Sequence, residues 1–216
     1  MSDDNPNVLY MGIDPGYTNV GVCVIESCFN VAIESSFSIK VDDVAIGEIN
    51  YSLNKLHEKI KKEFTERIFT PIQKACVEKN IRPPRMLCVI EQQLKCPYAI
   101  ITGLMVSVLH EVGIITQIIN CNTVRRTLGI PIVVNNRVVL KKRVIQYFCC
   151  VSGKECENDH IADAFSFAVY CKYLVTSTKP ELRKGMIAWT PTPTTSTKSK
   201  KPAPKRKKPV KRTKRK

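Results

Sequence analysis

The chain has 216 residues, 25% of them charged and 44% hydrophobic, with a formal net charge of +15. That length suits one domain with a substantial core, plus an appendage. It holds no apolar run of the roughly 20 residues a membrane span requires, and Met1-Ser-Asp-Asp-Asn-Pro-Asn lacks a basic-then-apolar signal pattern. A soluble intracellular protein with no membrane partner is expected.

The basic excess is concentrated at one end. From Lys198 to Lys216 there are 12 Lys or Arg and no acid, leaving 22 basic and 19 acidic side chains elsewhere. A nearly neutral folded part with a basic arm points to a polyanionic partner. Of the 10 cysteines, most lie in apolar stretches, as Cys23, Cys76, Cys88, Cys121 and Cys171 do. There is no CxxC pair and no zinc-type Cys/His spacing, so reduced thiols in a cytosol-like compartment are expected.

Residues 8–14 and 20–26 are apolar runs joined through Pro15 and Gly16, the pattern of a buried β-hairpin. Phe29 to Val41 offers a third strand. From Glu48 to Asn80, Ile49, Leu53, Leu56, Ile60, Phe64 and Ile68 recur at three- and four-residue steps, as on an amphipathic helix. Pro71 is expected to kink or split it. Met86 to Ile90 reads as a buried strand ending on Glu91. Pro97 opens a helix to Val112, Gly113 closes it, and Ile114 to Cys121 is another strand. A short helix begins at Asn122-Thr123 and carries Arg125 and Arg126. A basic helix, Arg137 to Cys150, contains Lys141, Lys142 and Arg143. The last helix runs from Asp159 to Val175. After Ser177 the composition turns to Thr, Pro and Lys, and order is expected to fade. This order of elements predicts an α/β fold, a mixed sheet with helices on both faces.

Two separate strands thus end in carboxylates, Asp14 and Glu91, and the last helix starts with Asp159-His160-Ile-Ala-Asp163. Burying a charge at a strand end is costly unless a cation accompanies it. Residues three or four apart share a helix face, so Asp159 and His160 can point with Asp163. Ligands converging from two strand ends and a helix suit two Mg²⁺ ions about 4 Å apart, which hold the attacking water and the leaving oxygen of a phosphodiester. No cysteine falls in these motifs, which argues against a softer metal. Each residue also has a plainer explanation. Asp14 can cap its own turn, Asp159 is equally suited to N-cap the last helix, His160 can be an exposed first-turn residue, and Glu91 with Gln92-Gln93 can begin a polar loop. Asp163, among Ile161, Ala162, Ala164 and Phe165, interrupts an otherwise buried helix and is hardest to account for without a site.

Gly12-Ile-Asp-Pro-Gly16 with Gly21, Ile90-Glu91-Gln92, and His160-Ile-Ala-Asp163-Ala164-Phe165 together resemble the RuvC-type Holliday junction resolvases, above all the poxvirus-type branch of large DNA viruses. The resemblance covers residues 8–175. It implies a ribonuclease H-like fold and Mg²⁺-dependent endonuclease activity, with two ions per site and Mn²⁺ as an alternative, and no small-molecule cofactor. It also implies a homodimer that nicks four-way DNA junctions symmetrically, leaving a 5′-phosphate and a 3′-hydroxyl. Asp14, Glu91 and Asp163 match metal-binding carboxylates. His160 falls where relatives carry Asp or His, fit to bind metal or move a proton, and Asp159 matches the first Asp of a doublet in some relatives. Arg125 and Lys141 fall near basic positions that contact DNA in bacterial relatives, and Lys142 adjoins them; the alternative is an ordinary solvated helix face. Leu94 stands where bacterial members often place a base-stacking aromatic, with Tyr98 four residues on.

The segments expected are a flexible N-terminus (1–7), a ribonuclease H-like resolvase domain (8–176) and a disordered basic tail (177–216). Within the tail, Lys205-Arg206-Lys207-Lys208 suits DNA contact or a nuclear localisation signal, so a nucleus or a viral replication site is compatible with it. Three rivals remain on sequence alone. An actin- or sugar-kinase-like ATPase shares Gly-Ile-Asp-x-Gly but needs two related domains and a second phosphate loop. The others are a noncatalytic DNA-binding protein and a ribonuclease H-like nuclease acting on another branched or hybrid nucleic acid. The carboxylates specify phosphodiester hydrolysis, while junction selectivity rests on the resemblance.

Overall fold

The structure, a computed structural model, describes residues 8–39, 49–132 and 136–176. The N-terminus 1–7, the expected strand end at Val41, the expected helix start at Glu48, and the tail 177–216 with Lys205, Arg206, Lys207 and Lys208 lie outside the described residues.

Five strands form one mixed sheet in the order β3-β2-β1-β4-β5. β1 (Val8–Asp14) and β2 (Val20–Ile25) make the expected hairpin, and β3 (Val31–Phe37) pairs antiparallel to β2. β4 (Arg85–Glu91) runs parallel to β1, and β5 (Ile115–Ile119) parallel to β4. The third strand is shorter than its composition suggests. Phe29 adopts a left-handed φ of 62° in a turn closed by Glu26 N–H to Asn30 O at 3.0 Å. β5 is also shortened, because the Asn120 side chain accepts the Asn122 amide at 2.9 Å and starts helix α4 (Cys121–Thr127) one residue after the chain leaves the strand's end.

Helices cover both faces. On one lie α1 (Ile49–Phe64) and α3 (Cys96–Glu111), enclosing Met11, Ile13, Val22, Val24, Cys88 and Ile90. On the other lie α4, α5 (Arg137–Ser152) and α6 (Asp159–Thr176), enclosing Tyr10, Cys23, Ile25, Leu87 and Val89. Every residue of β2 is buried, as expected for a strand covered on both sides. The long helical pattern passes Pro71 without breaking. A π-helical turn, Thr65–Phe69, joins α1 to α2 (Thr70–Glu78), with Thr70 N–H bonded to Thr65 O. Proline supplies no donor to the helical ladder, and the widened turn just before it absorbs the mismatch.

Candidate active site

Asp14 ends β1 and Glu91 ends β4, parallel neighbours in which Ile13 lies opposite Ile90. Side chains alternate along a strand. Asp14 therefore shares the side of Tyr10 and Gly12, and Glu91 that of Leu87 and Val89, which is the side covered by α6. A Cβ on Gly12 would collide with the Ala164 carbonyl oxygen and the Ala168 nitrogen, and one on Gly21 with the His160 carbonyl. Because those positions carry no side chain, α6 lies directly on the hairpin, and its first turn reaches the end of β1.

Asn158 Oδ1 accepts the amide of His160 at 3.0 Å and that of Ile161 at 3.4 Å, so Asn158 rather than Asp159 caps α6. The cap role considered for Asp159 is corrected accordingly. Its carboxylate is ion-paired with Lys141 from α5. His160 Nδ1 lies 2.7 Å from Asp14 Oδ2, so His160 is not a bystander of the first turn. Arg125 Nη2 donates to Asp163 Oδ1 at 2.8 Å, and Gln93 Nε2 donates to Glu91 Oε2 at 2.9 Å. Asp14, Glu91, Gln93, Arg125, Lys141, Asp159, His160 and Asp163 line an open cavity of about 700 Å³, together with the Pro15–Asn19 turn and residues 94, 95 and 98.

The electrostatics follow from crowding acids at a buried place. Burial pushes Glu91 up to about 8, aided by its hydrogen bond to Asp14 and by the charges of Asp14 and Asp163. Burial also raises Asp163, against the opposing pull of Arg125. The bond to Asp14 raises His160 above its ordinary range. Burial pushes Asp159 up as well, but the Lys141 hydrogen bond and the His160 and Lys141 charges outweigh it and hold the carboxyl low.

Asp14, Glu91, His160, Asp163, Asp159, Arg125 and Lys141 thus meet at one cavity; Lys142 is exposed on α5 and does not line it. Arg125 is not on a solvated helix face: its side chain is only 12% exposed and faces the acids. Leu94, 80% exposed, stands at the cavity rim. Two residues of the site are missed by sequence reasoning. Cys121 lies against Glu91, sharing a hydrogen bond with it, although no cysteine falls inside the acidic motifs. Its signal is its place just past the end of a strand parallel to the one bearing Glu91, the edge of an α/β sheet where sites form. Gln93 holds the Glu91 carboxylate, where the sequence suggests only a polar loop.

Among the described residues, no three His, Cys, Asp or Glu groups stand together as ligands of one ion. Asp14 is turned to His160, Asp163 to Arg125 and Asp159 to Lys141. The donor set nevertheless fits a hard divalent cation. Three carboxylates converge, and two of them, Glu91 and Asp163, are pushed upward by burial and then by neighbouring carboxylates, Asp14 above all, a strain that a cation relieves.

No protein-family model matches the chain, and no curated protein does. Among solved structures, its fold is similar to that of Thermus thermophilus RuvC, with a TM-score of 0.52 and 15% identity over 79% of this chain and 97% of that one. T. thermophilus RuvC in complex with a Holliday junction substrate matches with a TM-score of 0.51 and 14% identity over 79% of this chain and 97% of that chain. The chain therefore has a RuvC-like, ribonuclease H-like fold. No helix among the described residues is long and apolar enough to cross a membrane.

Proposed function

We propose that the protein is a Holliday junction resolvase, a divalent-metal-dependent endonuclease of the RuvC type and of the poxvirus-type branch, with residues 8–176 as its catalytic domain. One observation carries this: Asp14, Glu91 and Asp163 converge in a single open cavity whose wall also bears Arg125 and Lys141. Asp14, Glu91 and Asp163, with His160 beside them, are the groups that hold Mg²⁺, or Mn²⁺ in its place. A divalent ion bound there supplies a water acidified toward neutrality and a counter-charge for the leaving oxygen. His160 has Nδ1 engaged by Asp14, so proton exchange with the reacting water or the leaving 3′ oxygen falls to Nε2. Arg125 and Lys141 hold non-bridging phosphate oxygens, Arg125 through its planar fork and Lys141 as a point charge. Asp159 keeps Lys141 at the cavity wall.

A four-way junction is two-fold symmetric, and a C2 homodimer presents two such sites to opposite strands. The run Lys205 to Lys208 adds sequence-independent attraction to DNA or an import signal. A direct test offers the full-length protein three labelled substrates in Mg²⁺: a four-way junction, a linear duplex and an RNA–DNA hybrid. Paired nicks confined to the junction support the proposal. Cleavage of the hybrid alone keeps the chemistry and overturns the substrate, and binding without cleavage of any of them overturns the enzyme.

A further inference from the structure

Three of the four acids of the cavity face basic side chains carried by the chain itself. Asp14 faces His160, Asp159 faces Lys141, and Asp163 faces Arg125 across 2.8 Å. Arg125 differs from the other two cations. It is held on α4 just past the end of β5, with its side chain 12% exposed against an Asp163 side chain that is 16% exposed. Its charge acts on Glu91 and Cys121 as well as on Asp163. A guanidinium cannot shed its proton near neutrality, so this positive charge is permanent. Any divalent ion taken up by Asp163 meets that charge already bonded to an oxygen it needs, and two cations cannot share so small a space without mutual repulsion.

We propose that Arg125 is the resident counter-cation of the metal-free site and is exchanged for the divalent ion. When the ion binds, Arg125 leaves Asp163 and turns its fork to a phosphate oxygen of DNA in the same cavity. One residue thereby couples metal uptake to DNA binding: it competes with the ion in free protein and cooperates with it once DNA is present. The inference rests on the metal-site reading above and adds an order of events and a residue responsible for it. Coupling of this kind is reciprocal, so metal must tighten DNA binding by the factor by which DNA tightens metal binding.

The test titrates Mn²⁺ into metal-free full-length protein and follows free Mn²⁺ by electron paramagnetic resonance. Wild type is compared with Arg125→Gln, with Arg125→Lys, and with Arg126→Gln. Arg126 is exposed on the same helix and does not line the cavity, so it controls for loss of charge alone. Arg125→Gln is expected to bind Mn²⁺ about five-fold tighter or more, while Arg126→Gln stays near wild type. A second titration measures junction affinity in EDTA and in Ca²⁺; Ca²⁺ is expected to tighten binding by wild type and to tighten it less in Arg125→Gln. Arg125→Lys, which keeps the charge and most of the packing, falls between the two in both titrations. Equal or weaker Mn²⁺ binding by Arg125→Gln, or a gain from Ca²⁺ in Arg125→Gln equal to that of wild type, overturns the exchange. Wild type that binds no Mn²⁺ overturns the metal site itself, and the exchange with it.

Discussion

Asp14 and Glu91 stand side by side at the ends of neighbouring parallel strands, with Asp163 above them on α6. The consequence is a pH dependence with a definite sign. Glu91 is raised from its ordinary 4.5 to about 8, so the stability of its protonated form is complete below about 4.5 and is lost as pH rises through 8. His160 is also raised, by Asp14, so its contribution is complete below its ordinary 6.5 and is likewise lost on the alkaline side. The metal-free protein should therefore melt at progressively lower temperature from about pH 5 to about pH 8, a loss on the order of a few kcal/mol. Mg²⁺ should restore stability to wild type at the alkaline end, and Glu91→Gln should both flatten the fall in EDTA and lose that restoration. A melting temperature that climbs with pH in EDTA would contradict this electrostatic picture. The carboxylates themselves stood out as candidates in the sequence, since each closes or interrupts an apolar run, although a turn cap and a polar loop were plainer readings of Asp14 and Glu91. Their partners were not. Arg125 and Asp163 lie 38 residues apart on helices of different length, and periodicity does not encode how two helices are rotated about their axes. Nor can sequence choose between Asn158 and Asp159 as a cap, because both side chains suit the role.

At the scale of elements, the site depends on how closely α6 approaches the hairpin. Gly12 and Gly21 set that approach, since neither leaves room for a methyl group against the α6 backbone. Gly12→Ala should destabilise the fold by about 1–3 kcal/mol or more, read by thermal unfolding, because backbone rather than a pliant side chain must move. Gly21→Ala pushes on the carbonyl of His160 itself, so cleavage should fall further than stability does. A shift of about 1 Å in a catalytic group can cost around 10²-fold in rate. Equal, small effects of both on melting and cleavage would show that α6 is not held where the glycines imply. The inner strands were legible as short apolar runs bounded by turn residues, and the first long helix from its three- and four-residue steps. The exceptions share one cause, competition from a local bond or a missing donor: the Asn120 cap trims β5, the left-handed Phe29 turn trims β3, and the π turn carries the chain past Pro71.

For the whole molecule, charge is divided between residues 1–197, with 22 basic and 19 acidic side chains, and a basic segment from Lys198 onward. Truncation after Thr197 should weaken affinity for any DNA without abolishing cleavage. It should also flatten the salt dependence of binding, by about 0.9 in the log–log slope for each phosphate that the segment neutralises. Loss of all cleavage at low salt would assign that segment a role in the chemistry. The two-layer arrangement of helices about one mixed sheet was expected from the order of elements, and junction selectivity is the part that no periodicity or spacing carries. The most direct test of the central claim compares wild type with Asp14→Asn on a labelled synthetic four-way junction, in Mg²⁺ and in EDTA, with binding measured alongside. Symmetric nicks by wild type in Mg²⁺ are predicted, falling to background in EDTA and in Asp14→Asn while the variant still binds the junction. Undiminished nicking by Asp14→Asn, or nicking that survives EDTA, would contradict a metal-dependent centre built on the end of β1.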